Sequence, residues 1–391
     1  MNHILDLQNF RDCNRNFDIR FYQRDDKILV GKPTLPSFEE LIPHLKNIWN
    51  SKIVSNNGPY LKEFEKKLEE YLEVKSVVTF SNATTALISL LHCLNLKGQI
   101  LTTPFTFVAT ANVIHLSGLK PKFIDINKDN YNIDPIYLKK NSLKSVDAIM
   151  PVHIFSKPAF IDEFQLIGKK EKVKIIYDGS HAFGAKYKNK SLLSYGKASV
   201  VSFHATKLLS TLEGGAVVTN DLILAKKLKL FRNFGFDKTG QASLIGLNGK
   251  LNEIQALIGL LQLENIDRIL LKRKQLADYY REKINQISYL VLPKQIKNHI
   301  DNNSYFPVEI TSVSKIKRNK LLKILEDNKI FCKMYFYPII TKQPAYKKAF
   351  YKQKFLNAES LSKKILCFPI YPEMTFSDVD YIFRILKSVE N

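Results

Sequence analysis

The chain has 391 residues, 45% hydrophobic and 25% charged, enough for two or three domains around a sizeable core. It has no run of 18 apolar residues, which excludes a transmembrane helix, and residues 1–26 are broken by charges with no apolar signal core, so a cytoplasmic protein is expected. The balance is basic, 59 Lys and Arg against 37 Asp and Glu, or +22. The lysines are spread along the chain, and no zinc finger, RNA-recognition signature or basic arm accompanies them, so no nucleic-acid partner is expected. A positive field instead favours capture of a small anion, such as a nucleotide diphosphate or a phosphorylated cofactor. Cys13, Cys93, Cys332 and Cys367 are far apart and form no Cys-x-x-Cys pair, so free buried thiols are expected, with neither disulfides nor a metal site.

Residues 1–30 read as an appendage of unknown structure. Helical spacing of apolar residues then predicts helices over 35–49 and 60–71, separated by the turn cluster Asn56-Asn-Gly-Pro59. From residue 77 the texture alternates. Strands are predicted at 77–80, 99–103, 122–126, 148–153, 173–177, 199–203 and 216–219, with helices at 84–96, 109–117 and 161–169. Such alternation predicts an α/β layer with a mostly parallel sheet, in which ligands bind beyond the carboxyl ends of the strands. Beyond Lys250 come two long helical patterns, 251–264 and 266–287. A smaller α+β unit follows, with strands at 305–310 and 331–335 and helices at 316–328 and 376–389. The expected organisation is a large domain over 31–265 and a small C-terminal domain over 266–391.

The strand exits carry the chemistry. Ser81-Asn82-Ala83-Thr84-Thr85 opens a helix after the first strand, and free N–H groups at a helix start form an anion site, although the same residues also serve as an ordinary N-cap. Phe107, after the second strand, offers a ring to stack on a planar group, or simply core. Asp178 ends another strand, with His181 three residues on. Lys207 follows the strand that ends near Ser202. A lysine after a strand is ordinarily a solvated charge. Here a phosphate cup, a stacking ring, a carboxylate for a ring nitrogen and an amine nucleophile fall in order along one sheet edge. Those are the contacts pyridoxal 5′-phosphate requires: the lysine forms the Schiff base and the carboxylate keeps the ring nitrogen protonated.

The chain resembles the sugar-nucleotide aminotransferases of the DegT–StrS family, which are fold type I pyridoxal-phosphate enzymes. The resemblance spans roughly residues 33 to 388. Its carrying segments include Asn82-Ala-Thr-Thr-Ala-Leu87, Thr103-Pro-Phe-Thr-Phe-Val-Ala-Thr110, Tyr177-Asp-Gly-Ser-His-Ala-Phe-Gly-Ala185, Ser202-Phe-His-Ala-Thr-Lys207, Glu213-Gly-Gly-Ala-Val-Val-Thr-Asn220 and Asn248-Gly-Lys-Leu-Asn-Glu-Ile-Gln-Ala256. It implies a large domain with a mostly parallel seven-stranded sheet plus a smaller α+β domain. Lys207 matches the Schiff-base lysine, Asp178 the pyridinium partner, His181 a position contacting the ring hydroxyl and Phe107 the stacking ring. Ala83, Thr84 and Ser202 match phosphate ligands. Asn248 matches an asparagine that reaches the phosphate from a second subunit, which implies a homodimer with shared sites. Ala83 stands where the family usually has Gly. Arg232-Asn-Phe-Gly-Phe-Asp237 and Gly246-Leu-Asn-Gly-Lys-Leu-Asn252 resemble the branch acting on dTDP-4-keto-6-deoxyglucose.

The activity implied is transfer of an amino group from glutamate to a nucleotide-linked keto sugar, with pyridoxamine 5′-phosphate as the cofactor's intermediate form. Alternatives are transamination at ring position 3 and a non-catalytic regulatory protein that keeps the fold. A dehydrating branch of the family carries His where Lys207 stands, which argues against it. No arginine sits in a recognisable carboxylate-clamp motif, so free amino acids as the main substrate lack support. Tyr335 and Tyr337 are candidates to line the sugar pocket, or to pack in the core.

Overall fold

The computed structural model describes residues 26–140, 143–312 and 314–390, so Cys13 and most of the expected appendage lie outside the described residues. In chain order its elements are α1 (Phe38–Ser51), α2 (Pro59–Leu72), β1 (Ser76–Phe80), α3 (Ala83–Cys93), β2 (Gln99–Thr102), α4 (Ala109–Leu116), β3 (Lys120–Phe123), β4 (Val146–Ile149), α5 (Ile161–Glu171) and β5 (Lys174–Asp178). The short β6 (Lys186–Tyr187) and β7 (Lys190–Ser191) precede β8 (Ala198–Ser202), β9 (Gly215–Thr219), α6 (Leu222–Phe231), α7 (Glu253–Glu264) and α8 (Ile266–Ile284). The remainder is β10 (Leu290–Val291), β11 (His299–Ile300), β12 (Phe306–Ile310), α9 (Arg318–Asp327), α10 (Pro344–Phe350), α11 (Leu356–Lys364), β13 (Ile365–Phe368) and α12 (Phe376–Ser388).

Helix starts follow from short polar side chains that satisfy otherwise unpaired N–H groups. Ser37 and Glu40 form a reciprocal capping box on α1, as do Asn252 with Gln255 on α7 and Thr375 with Asp378 on α12. Asn82 accepts the Thr85 N–H at 2.8 Å and so fixes where α3 begins.

Seven strands form one sheet in the order β1-β9-β8-β5-β4-β2-β3. It is parallel except for β9, which runs antiparallel to both β1 and β8. Every residue of β1, β8 and β9 is buried, because helices cover both faces. Alternate side chains divide between two cores. Val77, Val201 and Val218 join Phe64, Leu68 and Leu263 on one side, while Val78, Val200 and Val217 join Leu87 and Leu90 of α3 on the other. The architecture is thus α/β with a mostly parallel seven-stranded sheet, as the alternation of elements implies.

A second sheet, β10-β12-β13, packs with α8 and α12 through Leu276, Tyr280, Val308, Leu366 and Ile382. Two expectations need correction here. Residues 331–335 form no strand: Lys333 alone bridges Cys367, and the chain then turns so that Phe336 packs against Phe105 and Phe155 of the larger unit. Tyr335, one of the aromatic residues that suggested a strand, is taken up by the same packing, against Tyr305 and Phe336. The strand expected at 148–153 runs instead over Val146–Ile149, and Val152 keeps only an isolated bridge to Asp178. Helix α6, capped by Asp221, and strand β13 have no counterpart in the sequence-based expectations. Cys93, Cys332 and Cys367 are free and buried.

Candidate active site

The carboxyl ends of the parallel strands open on a cavity of about 320 Å³, within the roughly 300–1,000 Å³ of small-molecule sites. Ala83 and Thr84, Phe107, Asp178, His181, Ser202 and Lys207 all line it, so the structure brings seven of the eight expected site residues together. The eighth, Asn248, is exposed, is bridged to Asn233, and does not line the cavity of its own chain.

Strand β8 ends at Ser202, and a turn closed by the Lys207 N–H on the His204 carbonyl, 2.8 Å, swings Lys207 into the cavity. Its Nζ donates to the Tyr305 hydroxyl at 2.9 Å. Burial lowers the pKa of this amine to about 8, although the Asp178 carboxylate pulls the other way. Asp178 is 4% exposed and well supplied with donors. Thr110 Oγ1 donates to Oδ2 at 2.7 Å, and the Ser180 hydroxyl and N–H donate to Oδ1 at 2.6 and 3.1 Å. These contacts fix the carboxylate and leave lone-pair capacity for one further donor from the cavity.

His181 Nδ1 accepts the Phe155 N–H at 3.2 Å, which places the proton of the neutral ring on Nε2. Burial, and then the charge of Lys207, hold its pKa well below the ordinary histidine value, so the ring stays neutral. Phe107 is 60% exposed, unusual for so large an apolar ring, and presents an uncovered face to the cavity.

At the start of α3 the Ala83 and Thr84 N–H groups stand beside Ser202, whose Oγ accepts the His204 N–H at 3.4 Å and retains its own proton to donate. Strand β9 approaches this point so closely that a Cβ at Gly215 would lie 2.5 Å from the Ala83 nitrogen. That crowding fixes the cradle against the sheet, and a glycine is required there.

The sequence-based reading does not include Thr110, Ser180 or Tyr305. Thr110 carries a local signal: Thr106 and Thr110 lie one helical turn apart, and their hydroxyls meet at 3.1 Å. Tyr305 gives none, because it stands immediately before β12 in the C-terminal part of the chain. Tyr335 lines the cavity, whereas Tyr337 does not and packs under the Arg318 guanidinium at 4.3 Å.

The donor set fits pyridoxal phosphate: an anion cradle, a fixed carboxylate, an open aromatic face and a half-buried amine share one cavity of suitable size. This fold and site define a fold type I transferase. Residues 37–387 match the DegT/DnrJ/EryC1/StrS aminotransferase family, and the chain belongs to that family. Among its relatives is the dTDP-4-amino-4,6-dideoxy-D-glucose transaminase of Shigella dysenteriae, 39% identical over 93% of this chain and 99% of that protein. The Escherichia coli protein of the same name is 34% identical over 93% and 98%. The structure of DesI in the presence of its TDP-sugar product superimposes with a TM-score of 0.89 at 28% identity, covering 94% of each chain. The protein is thus an enzyme of sugar-nucleotide transamination. Among the described residues no helix is long and apolar enough to cross a membrane.

Proposed function

We propose that this enzyme uses pyridoxal phosphate to move the amino group of glutamate onto carbon 4 of dTDP-4-keto-6-deoxyglucose. The observation that carries the cofactor assignment is the placement of Lys207, Asp178, Phe107 and the α3 N-terminus around one cavity. The sugar and nucleotide rest on the names of the Shigella and Escherichia coli relatives.

When bound, the cofactor supplies an electron sink that stabilises negative charge on the amino-bearing carbon. The chain's residues do the rest. Lys207 would hold the cofactor's aldehyde carbon through Nζ, and the same amine, once free, would serve as the base that takes and returns the proton of the donor carbon. Burial lowers the pKa of this amine to about 8, which favours the unprotonated form that a base requires. Asp178, held by Thr110 and Ser180, keeps the pyridine nitrogen protonated. The neutral His181, with its proton on Nε2, would offer a donor to the cofactor's ring hydroxyl. Ala83, Thr84 and Ser202 hold the phosphate, and Phe107 covers a ring face.

The site is completed in a homodimer, where Asn248 of one subunit reaches the phosphate bound by the other. Support comes from the exposure of Asn248 outside its own cavity and from the exposed apolar Phe234, Phe236 and Ile245 on the preceding loop. A second, leucine-lined cavity of about 710 Å³ between α1, α2 and α7 offers further surface for the pairing. The joint between large and small domains falls at Asn265, between α7 and α8. The enzyme works in the cytoplasm, where sugar nucleotides are available.

The test has two stages. Purified protein given pyridoxal phosphate should develop a visible band that borohydride removes and that Lys207→Ala lacks. Incubation with glutamate and a panel of keto-sugar nucleotides, read by mass spectrometry, should then convert the dTDP-4-keto sugar. Absence of the band refutes the cofactor assignment; conversion of a 3-keto sugar alone refutes the regiochemistry.

A further inference from the structure

Tyr305 reaches the candidate site from the C-terminal part of the chain, outside the strand-exit loops that supply Asp178, His181 and Lys207. Its hydroxyl is the hydrogen-bonding partner of Lys207 Nζ, at 2.9 Å. The carboxylate of Asp178 is already engaged by Thr110 and Ser180. The phenol cannot easily move. Its ring lies 4.4 Å from His181, 5.5 Å from Phe155 and, edge-on, 5.7 Å from Tyr335. Burial raises the pKa of the phenol, so it stays protonated and neutral throughout the working range. It can therefore accept from the ammonium form of Lys207 and donate to its free-base form.

We propose that Tyr305 is a positioning residue that holds the ε-amine of Lys207 inside the cavity whenever that amine is not joined to the cofactor. The inference rests on the Schiff-base role of Lys207 proposed above. A released lysine has four rotatable bonds and would otherwise sample positions from which it cannot serve the donor carbon. A fixed phenol restricts it to one, and it does so without a charge that would lock the amine as an ammonium. Because Tyr305 belongs to the C-terminal part of the chain, the contact also ties the reactive amine to the packing of β12.

The prediction separates positioning from general stability through the proton affinity of one amine. The ionisable groups facing the cavity with Lys207 are Asp178, His181, His204, Glu213, Tyr305 and Tyr335, and the test alters only Tyr305. In the cofactor-free full chain, trace labelling with acetic anhydride across neutral to alkaline pH, read by peptide mass spectrometry, gives the midpoint at which Lys207 loses its proton. Wild type should titrate near its value of about 8. The bond the phenol accepts from the ammonium is charge-assisted and stronger than the one it donates to the free base, so Tyr305→Phe should lower the midpoint by about one unit, a tenfold loss of proton affinity. Tyr305→His, which keeps a nitrogen at that place, should recover part of the shift. With cofactor bound, the single-turnover reaction of Tyr305→Phe with glutamate should be roughly tenfold slower. A folded Tyr305→Phe protein with an unchanged midpoint overturns the inference. Should that variant not fold, 3-fluorotyrosine at 305 keeps the shape and weakens the acceptor oxygen, and an unmoved midpoint there overturns it equally. If wild type captures no pyridoxal phosphate, the cofactor reading fails, while the labelling result still decides whether phenol and amine are partners.

Discussion

The carboxylate of Asp178 depends on a neighbour that no strand-exit pattern reveals. Thr110 Oγ1 donates to Oδ2 at 2.7 Å from the first turn of α4, and it also meets Thr106. Removing a donor from a buried charged acceptor costs about 1.5–3 kcal/mol, and 1.4 kcal/mol is a factor of about ten in a binding constant. Thr110→Val keeps the shape and deletes the hydroxyl. It leaves the carboxylate less fixed and less able to hold a proton on the pyridine nitrogen. We expect pyridoxal phosphate to bind Thr110→Val about tenfold more weakly, measured by absorbance titration of the cofactor-free protein, with a thermal midpoint lower by a few degrees. Thr110→Ser should behave like wild type. A valine variant with unaltered affinity would show that Ser180 alone secures Asp178.

Among the elements, α2, β1 and α6 are joined by a buried ion pair rather than by apolar contact alone. Glu65 on α2 accepts from Arg232, at the end of α6, and from the N–H and hydroxyl of Thr79 in β1, both at 2.9 Å. Arg232 also donates to the Thr79 carbonyl at 2.9 Å. Both charged side chains are about 5% exposed, so losing one strands the other in a poorly solvated place. Removing one partner of such a pair costs about 3–5 kcal/mol. Arg232→Met should therefore lower the urea midpoint sharply, whereas Glu65→Gln with Arg232→Met together should lose less than the sum of the single changes. Strict additivity in that cycle would mean the two side chains do not interact. The same elements show what the sequence could and could not reveal. Strands β1, β5 and β8 were legible because continuous apolar runs end at turn residues, and so were the site residues at their exits. Arg232 lies within a motif, yet its partner Glu65 sits 167 positions away, and nothing local connects them. The segment 331–335 has the apolar and aromatic texture of a strand, but a cluster with Phe105 and Phe155 takes up the adjoining Phe336, and only Lys333 pairs. Tyr305 was hidden for the same reason: tertiary contact, not periodicity, gives it a role.

For the whole molecule, we expect buried histidines to limit stability in acid. His153 is fully buried, stacks on Tyr177 at 4.5 Å and accepts the Ala159 N–H through Nδ1 at 3.2 Å. Burial, reinforced by the nearby His299, depresses its pKa to about 3, and His181 and His299 shift in the same direction. A histidine whose folded pKa lies below its unfolded value binds more protons when unfolded. Its contribution to stability is intact above the unfolded value of about 6.5 and is lost as pH falls toward about 3. The expected outcome is a urea midpoint that is level near neutrality and declines steadily below pH of about 6.5. His153→Gln can retain an acceptor for the Ala159 N–H and removes one titrating ring. It should lie below wild type near neutrality, because packing is lost, and show a shallower decline in acid. Equal slopes for the two proteins would place the acid sensitivity on other groups. The measurement belongs on the cofactor-loaded protein at fixed protein concentration, since ligand binding and subunit pairing both add to apparent stability and would otherwise vary with pH alongside the histidines.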